Sequence, residues 1–128
     1  SPRLQDAMAA TGELLSSRIV AAALADAGLP AQFVDARAVL VTDAATPALP
    51  QMDETRTRCR ERLLPILAEG GIPVLGGFIG ATAAGVTTTL GRGGSDYSAA
   101  ILGPLLVLWG VVDRLFGRRP RRRPNPFN

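Results

Sequence analysis

The chain has 128 residues, 47% of them hydrophobic, enough for one domain with a real core. The formal charge is +3, but residues 1–112 hold slightly more acids than arginines, so the positive excess belongs to residues 113–128. There is no lysine or histidine, which excludes imidazole acid–base chemistry and a lysine-dependent phosphate loop within this chain, and one cysteine excludes a disulfide framework.

Leu4 to Ala27 is predicted to be a helix, with Leu4, Met8, Leu15, Ile19 and Ala23 near one face and Gly28 and Pro30 as stop signals. Ala31 to Val34 and Ala38 to Val41 are apolar runs of strand type, and Thr42 to Gln51 is a proline-bearing loop. Asp53 to Glu69 reads as a second helix, opened by acids, with Thr55, Cys59, Leu63 and Ile66 as its buried stripe and Pro65 as a kink. Pro73 to Gly76 reads as a buried strand and Gly77 opens a loop or hairpin. Ala81 to Val86 is turn material, and Thr87 to Leu90 is a short extended run. Ser95 is the candidate N-cap of a helix from about Asp96 to Leu102, and Leu105 to Leu108 reads as a further strand. Alternating helices and strands imply an α/β domain with a mostly parallel sheet over residues 1–112. Residues 113–128 form an Arg/Pro-rich tail expected to be irregular.

The most informative segment is Thr87-Thr88-Thr89-Leu90-Gly91-Arg92-Gly93-Gly94-Ser95-Asp96. Glycines let backbone N–H groups approach an anion, and a helix N-terminus adds partial positive charge. Arg92 can grip a carboxylate through two parallel hydrogen bonds. By itself such a loop is more often a plain turn between strand and helix.

The whole string resembles the substrate loop of aspartate kinases in the amino-acid kinase superfamily. Thr11-Gly12-Glu13-Leu14-Leu15-Ser16, Gln32-Phe33-Val34-Asp35-Ala36-Arg37 and Pro73-Val74-Leu75-Gly76-Gly77-Phe78-Ile79-Gly80 resemble other segments of that family, in order, from about Leu4 to Leu102. The resemblance implies a three-layer amino-acid kinase-like fold, incomplete in this chain. It implies phosphoryl transfer from ATP with Mg2+ to the side-chain carboxylate of L-aspartate, giving 4-phospho-L-aspartate, the first step of the lysine, threonine and methionine pathway. Arg92, Gly93, Gly94 and Ser95 would hold the carboxylates of aspartate, and Glu13 its amino group. Phe78 would line the pocket, and Asp96 would stand at the reacting centre. Trp109-Gly110-Val111-Val112-Asp113-Arg114 and Arg119-Pro120-Arg121 resemble an altered nucleotide turn, with Phe116 and Arg121 as nucleotide contacts.

The aspartate-binding half is therefore expected to be present and the nucleotide half missing, leaving the isolated chain inactive. The alternative is a non-catalytic remnant that binds a small acid or a partner. Arg56, Arg58, Arg60 and Arg62 are expected on a solvated helix face, interrupted by Glu54 and Glu61. Arg118, Arg119, Arg121, Arg122 and Arg123 cluster among prolines without an aromatic ladder, so no nucleic-acid partner is expected. The uncharged run Tyr97 to Val112 is shorter than the roughly 20 residues of a membrane span and is interrupted by Pro104 and Gly110, so no membrane partner is expected. A cytoplasmic setting follows from the resemblance, and assembly into a homo-oligomer stays open.

Overall fold

The computed structural model describes residues 1–116. Helix α1 (Pro2–Asp26) leads into strand β1 (Ala31–Phe33), a 3-10 turn (Ala36–Ala38) and strand β2 (Val41–Thr42). Helices α2 (Met52–Arg62) and α3 (Leu64–Ala68) follow, then strands β3 (Ile72–Val74), β4 (Ile79–Thr82) and β5 (Thr87–Thr89), and helix α4 (Gly94–Phe116).

β1 pairs with β3 in parallel, Ala31 opposite Ile72. β2 pairs with β4 in parallel, Val41 opposite Ala81, and β4 pairs with β5 in antiparallel, Ile79 opposite Thr89. The parallel pairs need long crossovers, which the intervening helices supply. The antiparallel pair needs only a tight turn, and Gly85, at φ +85°, provides it with a left-handed residue.

Helix α1 lies against β1, β3 and β5, whereas α2 and α4 pack on each other and on β2 and β4. The result is three layers with apolar contacts on both sides of the strands. On the α2/α4 side, Val39, Leu40, Cys59, Leu63, Leu90, Ile101, Leu102 and Leu105 form a cluster of large side chains. On the α1 side, Ala10, Ala36 and Ile79 form a small cluster, joined by half-buried Leu14, Leu75 and Phe78. Cys59 is buried, and burial pushes its thiol up to about 11, as befits a packing residue.

Several expectations are corrected. In α1 the buried residues are Ala10, Ser17 and Ala21, while Leu4, Met8, Leu15 and Ile19 are exposed. Small residues allow the helix to approach the strands closely, so the face of large apolar residues does not pack on them. Ala38 to Val41 is not one strand: Asp35 accepts from the backbone N–H of Arg37, setting a 3-10 turn, and strand begins at Val41. The second helix breaks at Leu63, two residues before Pro65, and continues as α3. Of the loop or hairpin expected from Gly77 the structure has the hairpin, β4 with β5, but Ala81 and Thr82, expected as turn, belong to β4, the central strand of its sheet, with Ile79, Gly80 and Ala81 buried.

The largest difference is α4. It starts at Gly94, so Ser95 lies in the first turn and is not the N-cap, and it continues through Pro104 to Phe116. Leu105 to Leu108 is therefore helix. An isolated apolar run of that length carries no period that separates strand from helix. Pro104 removes the N–H that the Ala100 carbonyl would accept, but Ala100 is exposed and water can serve it. The helix also runs without interruption past residue 112, where the tail was expected to begin. By length and composition, α1 and Gly94–Val112 are each apolar enough to cross a membrane. In this fold, however, both are layer helices, and α1 turns Asp6 and Ala10 toward the strands.

Candidate functional site

The dipeptide Gly76-Gly77, just beyond β3, is where the site assembles. A Cβ added to Gly76 would stand 3.1 Å from the carbonyl oxygen of Glu13 and 3.3 Å from its Cβ. A Cβ on Gly77 would stand 3.0 Å from Cα and 3.2 Å from Oγ of Ser95. These distances are tighter than most Cβ contacts, so a side chain at either position would push back α1 or the start of α4 by a few tenths of an ångström, and glycine lets both close on the same turn. Glu13 and Ser95, more than eighty positions apart in sequence, thus flank two adjacent residues.

Phe78 continues the seam. A Cβ on Gly94 would lie 2.7 Å from the Phe78 ring and 3.0 Å from Cβ of Leu90. Phe78 adopts φ +71°, a left-handed conformation that costs a non-glycine residue energy and persists only where surroundings impose it. The imposition is visible. Its N–H donates to Ser98 Oγ at 3.0 Å, its carbonyl accepts from Leu90 N–H at 2.9 Å, and Ser98 Oγ donates to the Gly94 carbonyl at 2.8 Å. Ser98 is buried within the first turns of α4, so the helix start and the Phe78 turn are locked together.

Between β5 and α4, Gly91 and Gly93 take φ +77° and +72°, and Gly94 N–H donates to the Gly91 carbonyl. Arg92, Gly93, Ser95 and Asp96 are exposed, whereas Gly94 is buried. The loop therefore presents a guanidinium, a hydroxyl and a carboxyl to solvent at the N-terminus of a long helix, the end that favours anions. Glu13 is half-buried, and its backbone carbonyl accepts from Ser17 Oγ at 2.6 Å.

The strand feeding the loop is pinned at three consecutive residues. Arg37 Nη1 donates to Thr87 Oγ1 at 3.1 Å, Thr88 Oγ1 and Thr42 Oγ1 share a 2.7 Å hydrogen bond, and Thr89 Oγ1 donates to Asp6 Oδ1 at 2.7 Å. Arg37 also pairs with Asp35 at 2.7 Å. That side-chain hydrogen bond holds the Asp35 carboxyl below its ordinary value against an opposing effect of burial, and raises Arg37.

The structure thus brings Glu13, Phe78, Gly94 and Ser95 together around Gly76-Gly77, with Arg92, Gly93 and Asp96 contiguous with them. Sequence reasoning missed Gly76 and Gly77 as points of close approach, Ser98 as the anchor of Phe78, and the Asp6–Thr89 link. A Gly-Gly step before an aromatic residue was the available signal for the first. The others depend on contacts distant in sequence. The nucleotide residues fare differently. Trp109 stands inside α4 with Arg60 stacked 4.1 Å from its ring; Arg60 stays exposed, with Arg56 and Arg62, on the solvated face expected for these arginines. Phe116 is at the exposed end of α4, and Arg121 lies outside the described residues.

A model of the Amino acid kinase family matches residues 2–126. The chain belongs to that family. It is 38% identical over 127 residues to lysine-sensitive aspartokinase 3 of Escherichia coli, covering 94% of this chain and 28% of that protein. It is 40% identical over 107 residues to aspartokinase 1 of Bacillus subtilis, covering 80% of this chain and 25% of that one. Among solved structures, it resembles E. coli aspartokinase III in complex with aspartate and ADP, with TM-score 0.77 and 40% identity over 84% of this chain and 24% of the other. The same enzyme in complex with lysine and aspartate gives TM-score 0.78 at 39% identity. The chain spans only about a quarter of the length of these relatives. The amino acid kinase assignment agrees with the α/β layers and with the resemblance of the glycine-loop string.

Proposed function

We propose that this chain is the acceptor-substrate half of an aspartate kinase, and that its glycine loop binds L-aspartate. The observation that carries this reading is the meeting of Glu13 and Ser95 on either side of Gly76-Gly77, with Arg92 on the adjoining loop. Arg92 pairs with a carboxylate, and the Gly93, Gly94 and Ser95 amides with the helix N-terminus steady its charge. Glu13 attracts the ammonium, and Phe78 walls the pocket on the loop side. A side-chain carboxylate is ionised at neutral pH, so no general base is needed, in keeping with a chain without histidine. What such a reaction requires is placement and positive charge near the acceptor, which Arg92 supplies, while Asp96 orients the charged groups around it. The aspartate complexes of the E. coli relative support the choice of ligand.

MgATP is the implied co-substrate, and the ADP complex of the same relative supports nucleotide use by the whole protein. The segment resembling a nucleotide turn does not form a turn among the described residues: it is helix up to Phe116, and Arg121 lies outside them. The reading for residues 1–116 is therefore confined to the acid-binding half of the site.

Titration calorimetry on the 128-residue chain tests this. Saturable heat is expected with L-aspartate, at least tenfold weaker binding in Arg92→Ala, and none with MgATP alone. Equal affinity of the native chain and Arg92→Ala would remove the loop from the site.

A further inference from the structure

Asp6 is half-buried on the first turns of α1 and belongs to none of the motifs that carry the family resemblance. Its Oδ1 accepts a 2.7 Å hydrogen bond from Thr89, the last residue of β5 and two positions before the loop glycine Gly91. Asp6, Ala10 and Glu13 are spaced i, i+4, i+7, so they share one face of the helix, with Ala10 buried between the two acids. Asp6 and Glu13 are separated by about 10 Å of helix rise. One end of this rod is tied to the strand that feeds the glycine loop, and the other rests on Gly76, beside the start of α4.

We propose that Asp6 is a positioning residue: through Thr89 it fixes how far α1 slides along β5, and so the spacing between Glu13 and the Arg92 loop. The small side chains at the α1 contact make this bond important. Ala10 and Ala21, the buried apolar residues of α1, are too short to reach between side chains of the strands, so a directional hydrogen bond at the strand's exit adds a restraint on axial sliding to that of close packing. Thr87 and Thr88 are held by Arg37 and Thr42, which fix β5 to the turn after β1 and to β2. Only Thr89, of the three, is bonded to α1.

The role in spacing the ligand groups rests on the aspartate-binding reading, and the role in ordering the loop does not. Amide hydrogen exchange on the full chain decides the latter. Asp6→Ala and Thr89→Val are each expected to speed exchange at residues 90–97 at least fivefold, with residues 52–62 of α2 unchanged. Asp6→Asn and Thr89→Ser, which keep an acceptor and a hydroxyl, are expected to restore native exchange. The double variant Asp6→Ala/Thr89→Val should be no faster than either single one, because both remove the same bond. Native exchange at 90–97 in both single variants, or acceleration spread equally through α2, would overturn the proposal. Calorimetry on the same proteins should show aspartate affinity falling with loop order and returning in the conservative pair. A native chain without aspartate affinity would overturn the binding reading and leave the exchange result to judge Asp6.

Discussion

The two apolar clusters of this molecule are built on opposite rules. The cluster between α2, α4 and the strands is made of Val39, Leu40, Leu63, Ile101, Leu102 and Leu105, large side chains that fill space. The cluster under α1 centres on Ala10, Ala36 and Ile79 and is bordered by Gly76, Gly77 and Gly94, where backbones touch. The first supplies most of the apolar burial and the second supplies placement. The proposed aspartate site sits on the second because a binding loop needs its backbone amides close to its neighbours and to the ligand, and side-chain bulk would hold them apart. One cluster should be sensitive to deletion of atoms, the other to their addition.

The strongest break of that contrast is Leu63→Ala. Leu63 is fully buried at the α2–α3 junction, and its loss should destabilise the chain by about 2–5 kcal/mol, measured by urea or thermal unfolding. A loss below ~1 kcal/mol would mean that the large cluster collapses freely around the gap. Gly94→Ala tests the other rule. The added methyl meets the Phe78 ring and Leu90 Cβ, so a cost of about 1–3 kcal/mol is expected, together with weaker aspartate binding as Phe78 is displaced. Gly103→Ala, in the same helix with nothing within 4 Å of its added Cβ, should instead stabilise by about 0.5–1 kcal/mol. Equal effects at the two glycines would show that packing at Gly94 is not what demands glycine there.

The smallest effect concerns the polar border of the small cluster. The Asp35–Arg37 pair holds the 3-10 turn that contains Ala36, and hydrogen bonding to Arg37 lowers the Asp35 carboxyl from its ordinary value of 3.8. A lowered folded value means that the stabilisation is complete above that ordinary value and is lost as pH falls below it through the folded one. Both side chains are about a third exposed, so solvent screening limits the contribution to less than ~1 kcal/mol. Asp35→Asn should thus reduce stability slightly at pH 7, and the difference from the native chain should vanish as the pH falls through the lowered folded value. A difference that persists unchanged into acid would assign the effect to turn geometry and not to charge.

Much was legible in advance. The strand-loop-helix order from Thr87 to Leu102 follows from its glycines and the apolar run after Ser95, and the loop string pointed to the amino acid kinase family that the match over residues 2–126 supports. The buried face of α1 was not legible, because hydrophobic periodicity marks large apolar residues and this interface uses Ala10, Ser17 and Ala21. Nor was the length of α4, since Pro104 reads as a stop signal in the sequence, whereas in the helix the Ala100 carbonyl it frees is at an exposed residue, where water can serve it.

The sequence by itself determined the local pieces: which segments carry helical or extended periods, where chain reversal needs glycine, and which loop can face an anion. Those are properties of neighbouring residues, set by backbone sterics and side-chain spacing. The tertiary structure alone decided that Glu13, Gly76-Gly77, Phe78 and Ser95 meet, and that Thr89 is bonded to Asp6. These contacts join residues as many as 83 positions apart, and their formation depends on how closely three layers can stack. That closeness is set jointly by every small residue in the interface, so no single segment encodes it.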